Sequence, residues 1–89
     1  MKQREKLLKI MLDNKEHKVW YAKDFQHGAN FIGYEATARM SEIADIYREF
    51  VEVGKDGRFR TLSINWEKEE EINKVKELLD ELEKIENEK

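Results

Sequence analysis

Apolar positions recur with a helical period toward both ends of the chain and with a period of two between them. Near the N-terminus, Leu7, Leu8, Met11 and Leu12 share one side of a helix expected from about Lys2 to Leu12, with Ile10 widening the stripe. Asp13-Asn14 supplies its stop. After a polar loop, Val19-Trp20-Tyr21 is β-prone and long enough only for a single strand that pairs elsewhere, with Trp20 assigned to the core. Ala22 to Gln26 is expected as a helix of little over one turn, with no Ser, Thr or Asp cap before it and an end at His27-Gly28. Gly28 to Gly33 is a turn, from which Phe31 and Ile32 are expected to plug into the core.

The helical period returns between Tyr34 and Tyr47. Ala36, Met40, Ile43, Ala44 and Tyr47 fall at i, i+4, i+7, i+8 and i+11, one continuous face, and Glu35, Ala38, Glu42 and Asp45 lie opposite. The pattern then changes to alternation. Val51-Glu-Val-Gly-Lys-Asp-Gly-Arg-Phe-Arg-Thr-Leu-Ser-Ile64 reads as a β-hairpin, and Asp56-Gly57 is a strong signal for a two-residue type I′ loop. That loop sets Lys55 opposite Arg58, Val53 opposite Arg60 and Val51 opposite Leu62, and a four-residue loop of Gly54 to Gly57 would shift the pairs but keep their faces. Side chains alternate across a strand, so Val51, Val53, Leu62 and Ile64 share a face that Lys55, Arg58 and Arg60 extend toward the tip. The final segment, Glu67 to Lys89, carries Ile72, Val75, Leu79 and Leu82 at 3-4-3 spacing, thickened by Leu78 and Ile85.

Composition changes this picture in one respect. Charged residues make up 42% of the 89 positions and the net charge is −3, but the two parts differ. Residues 1–66 hold twelve Lys and Arg against ten Asp and Glu, whereas residues 67–89 hold five against ten. A mildly basic body therefore precedes an acidic tail, which leaves nucleic-acid binding open. There is no cysteine, which rules out disulfides and thiolate metal sites. With no apolar run of membrane-spanning length, the expectation is a cytoplasmic protein without a membrane partner. No nucleophile–base pair, phosphate-binding glycine loop or metal-ligand spacing is present, and His17 and His27 fall in loops. Neither enzymatic activity, nor a cofactor, nor a bound metal, nor a small-molecule substrate is expected.

The order helix, short strand, short helix, turn, longer helix, hairpin resembles a winged helix-turn-helix domain, over roughly residues 3–65. The block Phe31-Ile-Gly-Tyr-Glu-Ala-Thr-Ala-Arg-Met-Ser-Glu-Ile-Ala44 is similar to the turn and recognition helix of small prokaryotic and phage regulators. The resemblance implies an α+β fold: a three-helix bundle with a hairpin wing over residues 1–66, followed by an amphipathic helix over 67–89. It implies sequence-specific binding of double-stranded DNA and a role in transcriptional regulation. On these positions, Tyr34, Thr37, Ala38, Arg39, Ser41 and Glu42 form the groove-facing surface of the third helix. Lys55, Arg58 and Arg60 are the wing contacts, and Lys23 a further phosphate contact. Arg39 also has Glu35 and Glu42 within pairing distance along its own helix. The acidic groups on this face and the short second helix depart from the pattern. The alternative on the same scaffold is a module that docks on another protein.

The tail admits two arrangements. Ile72, Val75, Leu78, Leu79, Leu82 and Ile85 can pair with the same stripe of a second chain, giving a homodimer, or cover the first helix of their own chain. Dimerisation is the favoured expectation, because a domain this small gains from a shared core.

Overall fold

A computed structural model describes residues 2–26, 28–33 and 35–87. The protein is α+β, with three α-helices and a three-stranded antiparallel sheet. In chain order these are α1 (Gln3–Asp13), β1 (Trp20–Tyr21), a 3-10 turn (Ala22–Phe25), a second such turn (Gly28–Asn30), α2 (Ala36–Ile46), β2 (Val51–Asp56), β3 (Phe59–Ile64) and α3 (Glu69–Asn87).

Helix α1 starts where the Lys2 backbone N–H donates to Glu5 Oε1 at 2.8 Å, and ends where Asn14 Nδ2 donates to the Ile10 carbonyl at 2.8 Å. Both bonds satisfy backbone groups that a helix terminus leaves unpaired. The expected stripe is the buried one, with Leu7, Leu8, Met11 and Leu12 all in the core. The first 3-10 turn does have an acidic partner at its start. Asp24 accepts the Tyr21 backbone N–H at 2.8 Å, so the carboxylate comes from inside the turn and not from a residue before it.

The strand order is β1-β3-β2, with Trp20 opposite Leu62 and Tyr21 opposite Thr61 on one side of β3. On the other side, Val51 faces Ile64, Val53 faces Leu62, Lys55 faces Arg60 and Asp56 faces Phe59. The two-residue loop is thus Gly57-Arg58, one position later than expected. Gly57 has φ +62° and no described non-glycine residue has positive φ, the sign pattern of a type II′ turn. A type I′ loop would force Asp56 into the left-handed region. The observed register places only a glycine there, which removes that strain. The loop still has two residues, so the pairing shifts by two positions and the strand residues keep their faces, but Arg58 moves from the strand into the turn.

Trp20, Leu62 and Val51 form the inner face of the sheet, buried with α1 and α2. His17 stacks on Trp20 at 3.9 Å, and Trp20 on Phe25 at 5.2 Å, so the short strand anchors a column of rings. Two expected core residues are outside. Val53 is 56% exposed because β2 is an edge strand that runs out past the helices, and Phe31 is exposed while its neighbour Ile32 is buried. Phe50, between α2 and β2, is buried in its place, and its carbonyl accepts the Asn65 N–H at 2.7 Å, extending the hairpin by a pair.

Helix α3 returns to the body of its own chain. Ile72 and Leu79 are core residues, and Trp66, Val75 and Leu82 pack against the core. Lys9 on α1 binds Glu83 at 3.2 Å as well as Asp13 at 3.1 Å, and these bonds push its ammonium pKa above the usual value. Lys15 and Lys76 lie over the Trp66 ring at 5.3 and 5.9 Å and tie the α3 approach to the loop after α1. Four of the six residues expected at a seam between chains therefore face inward here. Leu78 and Ile85 alone remain exposed. The radius of gyration, 12.8 Å, is close to the value of about 12 Å for one compact unit of this length.

Candidate nucleic-acid interface

The inner face of the hairpin continues toward its tip with Lys55 and Arg60, which face each other across the strands. Arg60 is turned onto α2, where Nη1 donates to Ser41 Oγ at 2.8 Å. This bond joins hairpin to helix near the end of the hairpin. It fixes the distance between two elements that the sequence assigns to one surface.

On the outer face, Tyr21 reaches across β3 and donates its hydroxyl to Asp56 Oδ2 on β2 at 2.6 Å. Thr61, between them in the register, is the one buried polar residue among those described. Gly54 faces Thr61, and a Cβ there would come within 2.9 Å of Thr61 Oγ1. The bond to Asp56, together with the nearby carboxylate charges, raises the Tyr21 pKa. Lys23 Nζ lies over the same ring at 5.2 Å.

Between the first 3-10 turn, the N-terminal half of α2 and the hairpin tip runs a groove of about 760 Å³. Lys23 and Gln26 line it from the turn, Thr37 and Met40 from α2, and Arg58, Phe59 and Arg60 from the tip. Three cations from two separate elements, with the Asp56 carboxylate among the lining residues, thus meet beside the N-terminal half of α2. Lys55 and Arg58 have no carboxylate partner among the described residues, so their charges are available to a ligand.

The remaining residues of the α2 surface divide. Thr37 and Ala38 are exposed, and Ala38 presents only a methyl group, which permits close approach. Arg39 is engaged within its own helix, at 3.2 Å from Glu42 and 3.9 Å from Glu35, and its Nε is buried without a partner. Glu42 also lies 3.9 Å from Arg4, so two guanidinium groups offset the acid on this face. Tyr34 lies outside the described residues, as does His27. Tyr47 packs against Phe50 at 5.9 Å, and burial, followed by the charge of Glu5, raises its pKa.

Sequence reasoning missed Asp56, Phe59, Gln26 and Met40 as parts of this surface. A hairpin loop placed one residue later would have put Asp56 in the strand and Phe59 opposite it. The Tyr21–Asp56 bond spans 35 positions and left no local sign. Among the described residues, no group of three or more His, Asp or Glu is arranged to hold a metal ion, and no helix is long and apolar enough to cross a membrane.

No family model, curated protein or solved structure matches the chain.

Proposed function

We propose that the protein is a winged-helix DNA-binding protein that reads double-stranded DNA with α2 and holds its backbone with the hairpin. What carries this reading is the groove between α2 and the hairpin tip, with Lys23, Arg58 and Arg60 around it and Lys55 beside it. Phosphate contacts supply most of the affinity of such proteins, and Arg and Lys are the residues that make them. Thr37 and Ala38 stand on the exposed side of α2, where a hydroxyl and a methyl group can meet base edges. Arg60 serves as a strut through Ser41, while Lys55 and Arg58 reach further out. The order of elements and the sheet order β1-β3-β2 are compatible with the winged-helix arrangement. A regulatory role in transcription is the natural use of so small a DNA binder.

Fluorescence anisotropy with a labelled duplex, titrated with salt, tests the reading. Binding is expected at low salt and weakens steeply as ionic strength rises. Each phosphate contact contributes about −0.9 to the slope of log affinity against log salt, so Lys55→Ala with Arg58→Ala should flatten it by about 1.8. An unchanged slope in the double variant would refute the assignment of the wing. Absence of binding at low salt would refute the DNA reading and favour docking on protein.

A further inference from the structure

A hairpin tip that leaves a phenylalanine ring in water needs a physical reason. Phe59 is 63% exposed, the most exposed of the large apolar residues described. It opens β3 opposite Asp56, directly after the Gly57-Arg58 loop. Its outer-face neighbours are Thr61 along β3, Gly54 on the diagonal, which has no side chain, and Asp56 opposite, which is bound to Tyr21, and they leave the ring exposed. The ring is not part of the core and lines the groove between the hairpin tip and α2.

Its surroundings in the chain are cationic. Arg58 and Arg60 flank it, Lys55 faces Arg60 across the strands, and Phe59 lines the same groove as Lys23, Arg58 and Arg60. An apolar ring at the rim of a groove that also holds Lys23, Arg58 and Arg60, with Asp56 opposite it, matches one kind of ligand well. Phosphates satisfy the cations, and the base stack just inside them offers a flat apolar surface to the ring. Proteins that distort DNA from the minor groove use this combination, with basic residues on the backbone and an apolar side chain driven between base pairs.

We propose that Phe59 is a wedge that enters between two neighbouring base pairs of bound duplex and kinks it. The proposal rests on the DNA reading above and adds to it a mode of contact and a preference. Unstacking is easiest at pyrimidine–purine steps, so duplexes with such a step at the wing position bind best. Arg58 and Lys23, which share the groove with the ring, hold the phosphates beside its point of entry. The Tyr21–Asp56 bond braces the strand opposite Phe59 against the thrust of insertion.

The test uses the full chain and a short duplex with a central TA step and a fluorophore at each end. Energy transfer between the ends reports bending, and anisotropy reports affinity. The parent protein is expected to raise the transfer. Phe59→Ala, whose fold is checked by its thermal melt, is expected to abolish that rise and weaken binding at least tenfold, about 1.4 kcal/mol. Its salt slope should stay at the parent value, because the phosphate contacts remain. Phe59→Trp is expected to restore both bending and affinity. If Phe59→Ala binds and bends the duplex as the parent does, the wedge is refuted while DNA binding stands. Tighter Phe59-dependent binding to single strands than to duplex also overturns it, in favour of stacking on unpaired bases. If the parent binds no duplex at low salt, both readings fall together.

Discussion

Adjacent leucines on α3 give a sharp test of how that helix is covered. Leu79 is 2% exposed and packs within the core, whereas Leu78 is 51% exposed. Leu79→Ala removes three carbons, about 2.4 kcal/mol at roughly 0.8 kcal/mol per buried methylene, and a cavity left behind adds to the loss. The site is not deep, however. A cleft of about 160 Å³ lined by Leu12 and Leu79 already runs between α1 and α3, so neighbouring groups can relax into the gap. The expected loss is therefore about 2–3 kcal/mol, toward the lower end for such substitutions. With a urea m-value of about 1 kcal/mol/M for a domain this small, the midpoint falls by roughly 2–3 M. Leu78→Ala should move it by about 0.5 M or less. Both midpoints are measured at two protein concentrations tenfold apart. A helix covered by its own chain gives values independent of concentration. A larger loss for Leu78→Ala than for Leu79→Ala, or a midpoint that rises with concentration, would show that the stripe is covered by a second chain.

Three further outcomes are expected. Gly57→Ala places a Cβ at φ +62° in the hairpin turn and should cost about 1–2 kcal/mol in a thermal melt, while Gly57→Asn, which tolerates that conformation better, should cost less. Ser41→Ala removes the acceptor of Arg60 and should change global stability by less than about 1.5 kcal/mol, yet speed amide exchange across residues 55–60; equal exchange in both proteins would deny the strut its role. Tyr21, whose pKa is raised by its bond to Asp56, should ionise later than an ordinary tyrosine in a spectrophotometric titration, and Asp56→Ala should bring it back. Because the folded-state pKa is the higher one, this bond's contribution is complete below about pH 10 and fades as pH rises through the folded value, so the parent should lose stability faster than Asp56→Ala in that window.

The helices were legible because burial follows their period. Leu7, Leu8, Met11 and Leu12 on α1, and Ala36, Met40 and Ile43 on α2, are buried as their spacing requires. Where no period applies, the sequence is silent. Phe31 and Ile32 are neighbours in a turn and only Ile32 is buried, while Phe50 lies at a junction that belongs to neither helix nor strand pattern. The hairpin was legible as a hairpin, but Asp-Gly fits two turn types whose loops differ by one residue. The stripe of α3 says that the helix is covered and not by what. Fold-back on α1 depends on loop geometry around Asn65–Lys68 and on Lys9 meeting Glu83, contacts between distant positions. At the candidate site, the pairing of Arg39 with Glu35 and Glu42 could be read from their spacing along a helix. The bond from Tyr21 to Asp56 could not, since only the assembled sheet brings the two together.

The return of α3 also sorts the molecule's charge in space. Residues 67–89 carry ten acids against five bases, and their helix packs on α1, whereas no residue of α3 lines the groove beside the hairpin tip. Lys23, Arg58 and Arg60 thus line a surface to which the acidic helix contributes no residue. A polyanion that meets this surface meets none of the acids of α3 in its lining. A chain of negative net charge can in this way meet a negatively charged partner with one surface, faster at low salt than at high.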